Sequence, residues 1–376
     1  MVRASLLALR PTAHLNAAAR LDLRLQDLAA LEAGASDLNR RLHAYRVPSD
    51  PRLDTRLQLF GELRSLADDL QFLRTTELPA LLATTPDDVY VSAVLEALFV
   101  ETGIPDVHPV ASLHQGSWFA TQPSHPAYPL MLAPVQILAD AGEIPLFLHE
   151  MGHVLYRLWA PALDLALVAT VQKTVDRLAQ EALSAGDPNV RLDRARALSE
   201  WLPQGYGEIE EIACDLIGAL LGGPAFAVAL HIGLLIPDAT PYAHSQPEYP
   251  PLDVRMRLAV AGVRHLGLSY GALDQAEASW RETLALYAAK KPRFYDWIYA
   301  PTAIDDLTRA VADFLRRKGV GVFLPGCGGI RGELLRGTSH LLTGGPAYEA
   351  WSDGMVANLP SVYATSTPGG SSLPPP

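Results

Sequence analysis

Only two cysteines, Cys214 and Cys327, occur in the 376 residues, too few for a disulfide framework and suited to a reducing compartment. Lysine is nearly as scarce, found at Lys173, Lys290, Lys291 and Lys318. Acidic residues outnumber basic ones, 41 against 30, for a formal net charge of -11. A clustered basic face that would bind phosphate backbones is therefore not expected, which argues against nucleic acid as a partner. No stretch reaches the roughly 18 uninterrupted apolar residues that a membrane-spanning helix needs, so no membrane span is expected. The short apolar run from Ala4 to Leu9 is cut by Arg10 and Pro11 and has no small-residue cleavage site. No signal peptide is read there, and the expected location is cytoplasmic. What is present is a globular balance, 49% hydrophobic and 19% charged residues, over a length that allows two or three compact units.

Apolar residues recur at helical spacing from about Leu15 to Tyr45 and from about Leu53 to Leu73, on either side of Pro48-Ser49-Asp50-Pro51. This predicts a helical hairpin within residues 1–84, either a packing module or an arm that docks a regulatory partner. Residues from about 85 to 145 are mixed. The run Pro129-Leu130-Met131-Leu132-Ala133-Pro134, of strand length and bounded by prolines, is expected to be an edge strand. Helical periodicity then runs from about Pro145 to Leu183, breaks at Ser184-Ala185-Gly186-Asp187-Pro188-Asn189, resumes to Trp201, breaks at Pro203-Gln204-Gly205, resumes from Glu208 to Leu221 and stops at Gly222-Gly223-Pro224. Further helices are expected at about 253–266, 271–290 and 302–318. The chain past Gly319 is rich in Gly, Ser, Thr and Pro, and is expected to be a tail whose last dozen residues are disordered. The fold class is thus mainly α with a small β-sheet.

The chemistry concentrates in Leu146-Phe147-Leu148-His149-Glu150-Met151-Gly152-His153. Residues four apart on a helix share a face, so His149 and His153 can turn two imidazoles toward one zinc ion. Glu150 then lies beside the open coordination position, where a carboxylate takes a proton from activated water. A catalytic zinc usually has three protein ligands. Tyr156 and Trp159 occupy the places where a metzincin has its glycine and third histidine, so the remaining ligand must come from another segment. The stretch Glu208-Ile209-Glu210-Glu211-Ile212-Ala213-Cys214-Asp215 offers Glu208, Glu210 and Glu211. Glu211 is singled out because Asp215 follows it by four residues on the same face, where a carboxylate can orient a ligand imidazole.

His-Glu-x-x-His followed by Glu-x-x-x-Asp on a later helix resembles the gluzincin metallopeptidases, the family of thermolysin. The resemblance covers about residues 125 to 260. It implies a zincin-like catalytic domain over residues 85–260, with a helical segment at 261–318 and the tail at 319–376. It also implies Zn2+ held by His149, His153 and Glu211, Asp215 behind them, Glu150 as general base, and a protein or peptide substrate. The developing oxyanion needs a donor, for which His244, Tyr249 and Arg255 are the candidates. Within His244 to Arg255 the sequence loosely resembles the His/Pro/Pro then Arg element of several bacterial zinc proteases, with Tyr249 in the usual histidine's place. Two alternatives stay open, an aminopeptidase and a catalytically silent zincin scaffold with a regulatory role. The Pro325-Gly326-Cys327-Gly328 segment resembles the cysteine latency switch of matrix metalloproteases, which implies a thiolate closing the site.

Overall fold

The computed structural model describes residues 15–44, 61–68, 71, 85–116, 119–122, 125–235, 240–244, 246 and 249–366. The architecture is mainly helical with one small mixed sheet. Helix α1 (Leu15–Ala44) is the first arm of the expected hairpin. Residues 61–68 and 71 are helical, and the rest of the second arm lies outside the described residues. Arg20 donates to the Tyr128 carbonyl and Asp27 sits 2.7 Å from His125 Nε2, which ties α1 to the body.

Helix α2 (Pro86–Glu101) opens on a capping box in which Thr85 and Asp88 satisfy each other's backbone N–H. Asp88 Oδ1 also accepts from the Leu113 amide at 2.7 Å, and Ser92 Oγ accepts from the Ala111 amide at 2.8 Å, so the helix start docks the sheet. The strands are β1 (Val110–His114), β2 (Ala120–Gln122) and β3 (Leu130–Pro134), in the order β1-β3-β2. β1 runs parallel to β3 with Val110 opposite Leu130, and β2 runs antiparallel with Ala120 opposite Leu132. The expected edge strand is therefore the central one. Every residue of β3 is buried, the pattern of an apolar run covered on both faces, and its prolines mark the ends rather than an exposed edge.

Helix α3 (Phe147–Leu158) carries the His-Glu-x-x-His segment. Helix α4 (Ala160–Leu183) leaves it at 102° across Trp159, where the sequence predicted one continuous helix. Pro161 cannot donate to the Arg157 carbonyl and would clash with it, so the helix must restart there. Helix α5 (Pro188–Gly207) runs through Pro203, where a break was expected. Then come α6 (Ile209–Gly222), α7 (Pro224–Leu234), α8 (Leu252–His265), α9 (Gly271–Leu286), the short α10 (Tyr295–Ile298) and α11 (Pro301–Arg317). Beyond Gly319, in place of the expected tail, stand α12 (Gly329–Thr343) and α13 (Gly345–Ser366). Average composition misled here because Ile330 and Leu334, one turn apart on α12, and Met355 on α13 are carried into the core. Residues 367–376, most of the stretch expected to be disordered, lie outside the described residues.

Helix α6 is buried along nearly its whole length and packs against α3 on one side and α8 on another. Leu148, Met151, Val154 and Leu155 of α3 and Ala213, Leu216, Ile217 and Leu220 of α6 are each fully buried in one core cluster. A fully buried large apolar side chain contributes roughly 1.5–3 kcal/mol, so this interface fixes the two helices firmly. Gly152 lets them approach: a Cβ there would lie 2.7 Å from the Cys214 Cα. Among the described residues no single helix is long and apolar enough to cross a membrane.

Candidate metal centre

Helical spacing places His149 and His153 one turn apart on α3, and the close α3–α6 contact brings Glu211, in the first turn of α6, against both. Glu211 Oε2 lies 3.3 Å from His149 Nε2 and Glu211 Oε1 lies 3.5 Å from His153 Nε2. One donor atom from each of the three residues falls within 4.8 Å of the others. A tetrahedral ion with bonds of about 2.0–2.1 Å spaces its donors about 3.3 Å apart, so the trio has the dimensions of a metal site. The other imidazole nitrogens are engaged separately: His149 Nδ1 is 2.9 Å from Asp215 Oδ1 and His153 Nδ1 is 3.1 Å from Glu210 Oε1. Carboxylates on Nδ1 turn Nε2 toward the centre and raise its basicity.

Two buried oxygens at the centre accept no hydrogen bond, Oε2 of Glu211 and Oε2 of Glu150. A buried carboxylate oxygen without a donor is costly, and a cation or a water held by one would satisfy both. Glu150 is 6% exposed, and its main-chain carbonyl accepts from Thr121 Oγ1 of β2 at 3.2 Å. The edge strand nearest the base is therefore β2.

The electrostatics are layered. Burial alone would drive the His149 imidazolium to lose its proton, but Asp215 and Glu211 outweigh it and raise its pKa to about 9. Burial likewise opposes ionisation of Asp215, but Arg255 holds its carboxyl down at about 2. Arg255 grips that carboxylate with two bonds, Nε to Oδ2 at 2.8 Å and Nη2 to Oδ1 at 2.7 Å. For Glu210 too, burial is outweighed, here by His153 and Arg157, and its carboxyl stays below the ordinary range.

The remaining sequence candidates divide. Arg255 stands behind the centre, committed to Asp215. Tyr249 lies beside it, with its ring 5.6 Å from the Arg255 guanidinium, and burial raises its phenol pKa, keeping it a neutral donor. His244 turns elsewhere, to Glu208 Oε1 at 3.2 Å and the Tyr249 carbonyl at 3.0 Å. Glu208 meets Tyr299 and His244, and Glu210 meets His153 Nδ1, so neither competes with Glu211 for the centre. The orienting role of Glu210 was not read from the sequence. The only signal was its place beside Glu211, with His153 and Arg157 four apart on the facing helix. Cys327 sits by Arg331, which donates to the Leu221 carbonyl. Leu221 is ten residues along α6 from Glu211, about 15 Å. The implied thiolate closure is therefore not formed. Comparisons with protein-family models, with curated proteins and with solved structures returned no match.

Proposed function

We propose that the chain is a zinc-dependent peptidase with His149, His153 and Glu211 as metal ligands and Glu150 as general base. One observation carries this reading: both Nε2 atoms converge on Glu211 while separate carboxylates hold both Nδ1 atoms, beside a buried Glu150 with a free oxygen. Two nitrogens and a carboxylate oxygen are a donor set that suits zinc, which would supply a Lewis acid at the scissile carbonyl. Glu150 accepts the proton of the attacking water on its unpartnered Oε2 and returns it to the leaving amine nitrogen. Asp215, clamped by Arg255, and Glu210, clamped by Arg157, keep the two imidazoles in the tautomer whose Nε2 lone pair faces inward. Tyr249, whose ring lies beside Arg255, is the candidate donor to the developing oxyanion. The edge of β2 offers backbone groups for an extended peptide, and Thr121 ties that edge to the base.

The test is hydrolysis of a peptide library and of unfolded protein by the wild type and by Glu150→Gln. Loss of a general base lowers the rate about 10²–10⁴-fold. A drop of that size with metal content unchanged is expected. Equal cleavage by the two proteins would refute the assignment of the base.

A further inference from the structure

Tyr249 sits in the connection between α7 and α8, a loop closed where the Asp253 amide donates to the Pro241 carbonyl at 3.0 Å. The Tyr249 amide donates to the Gln246 carbonyl at 3.2 Å, a bond that stays inside the loop and fixes nothing against the body. Its hydroxyl has no hydrogen-bond partner among the described residues and is free to donate to a ligand. The charges of Glu211 and Glu150 add to burial in keeping that phenol protonated, so it lies within the field of the candidate centre. A donor that serves a transition state must be held to within about 0.5 Å, and a loop does not do this by itself.

The hold comes from His244. Its Nδ1 lies 3.0 Å from the Tyr249 carbonyl oxygen and 3.2 Å from Glu208 Oε1. A carbonyl oxygen only accepts, so Nδ1 carries the proton and shares it between the two oxygens. Nε2 faces Tyr299 Oη at 3.5 Å, so neither nitrogen is turned to the metal centre. Glu208, the other end of the tie, is fully buried immediately before α6, the helix that carries Glu211. Tyr299 Oη donates to the same Oε1 at 3.3 Å, and Trp201 Nε1 donates to Tyr299 Oη at 3.1 Å. Burial pushes the Glu208 pKa up to about 8, so at neutral pH its carboxyl is mostly uncharged and the anchor is a hydrogen bond, not an ion pair. His244 thus ties the Tyr249 main chain to the start of the helix that supplies the third proposed ligand.

We propose that His244 is a positioning residue for the oxyanion donor: by holding the Tyr249 carbonyl it keeps the Tyr249 hydroxyl where the oxyanion develops. The inference rests on the reading of Tyr249 as that donor. Removing the imidazole frees the loop at this point. The donor acts in the transition state and not on bound substrate, so the loss falls on kcat and not on KM.

The test compares the full-length wild type with His244→Ala and with His244→Asn, whose amide nitrogen takes the place of Nδ1, each alone and in the Tyr249→Phe background. Cleavage of a library peptide gives kcat and KM, and fluorotyrosine in place of Tyr249 reports its surroundings by fluorine NMR. In His244→Ala the resonance should move or broaden and kcat should fall at least about tenfold, with KM within about twofold and metal content unchanged. His244→Asn should bring both readouts back to near the wild type. In the Tyr249→Phe background His244→Ala should cost nothing further. An unmoved resonance or unchanged kcat in His244→Ala, no recovery in His244→Asn, or an added loss in the Tyr249→Phe background would each overturn the proposal. Full activity in Tyr249→Phe alone would sink the donor reading on which it rests. A wild type that cleaves no peptide would refute the peptidase reading instead, and the resonance alone then decides whether His244 holds Tyr249. Should His244→Ala fail to fold, His244→Gln, whose amide lies one carbon further out, takes its place.

Discussion

Placing a single methyl group between α3 and α6 should damage the candidate metal centre without touching a proposed ligand. In Gly152→Ala the new Cβ would lie 2.7 Å from the Cys214 Cα, 3.0 Å from its Cβ and 3.2 Å from its carbonyl oxygen. The first of these is about 0.7 Å short of the 3.4 Å at which ordinary van der Waals contact begins. All three obstacles are main-chain or Cβ atoms, so no flexible side chain can swing away, and the helices themselves must separate. Overpacking of this kind costs about 1–3 kcal/mol of stability. The same displacement parts Glu211 on α6 from His149 and His153 on α3, which now meet at 3.3 and 3.5 Å. Metal sites tolerate about 0.2 Å of error in such geometry, so zinc affinity should fall by about 10–100-fold even where the protein remains folded. Denaturant titration gives the stability change, and competition with a chromophoric chelator gives the affinity. A Gly152→Ala protein that keeps wild-type affinity would refute the claim that the α3–α6 spacing sets the site.

Asp215→Asn should weaken zinc binding about 10–100-fold, because the amide no longer offers His149 Nδ1 a carboxylate, and chelator competition would measure it. The same change leaves Arg255 buried without its counter-charge, so a loss of about 3–5 kcal/mol in unfolding free energy is expected by denaturant titration. Glu208 titrates near 8 in the fold and near 4.5 otherwise. Its folded pKa is raised, so its contribution to stability is complete below pH 4.5 and is lost as pH rises toward and through 8. Glu208→Gln has no such titration, so between pH 5 and pH 9 it should gain on the wild type by a few kcal/mol, up to about 4–5. Parallel stability–pH curves for the two proteins would contradict this.

The residues of the candidate site were more legible than the fold around them. His149, Glu150 and His153 follow from helical spacing alone. The pairing of Glu211 with Asp215 at the same spacing singled out the residues that the structure brings to His149. Helices α6, α8 and α11 were located to within a residue or two, because each has a strong apolar period and a Gly or Pro boundary. Helix α2 was missed although Thr85-Pro86-Asp87-Asp88 spells its capping box, since the Pro- and Gly-rich stretch downstream masked it. Helix α7 was missed because Gly222-Gly223-Pro224 was read only as a stop. Gly223 does leave the helical region, at φ 57°, but Pro224 then begins a new helix, a position that suits proline. The separate duties of Glu208, Glu210 and Glu211 depend on how α6 is rotated against α3, which is a tertiary quantity. Periodicity says which residues share a face of one helix, not which of them meets a neighbouring imidazole. For the same reason the sequence left Arg255 as one of three candidate oxyanion donors and did not show that two of its nitrogens are committed to Asp215.

The most direct test of the central claim is elemental analysis of the purified wild type and of Glu211→Ala after equilibration with equimolar zinc, iron, manganese and cobalt, followed by desalting. The account predicts one zinc per chain in the wild type and a large loss in Glu211→Ala, with both proteins folded by circular dichroism. A wild type that retains no metal, or a Glu211→Ala protein that retains as much zinc as the wild type, would contradict it.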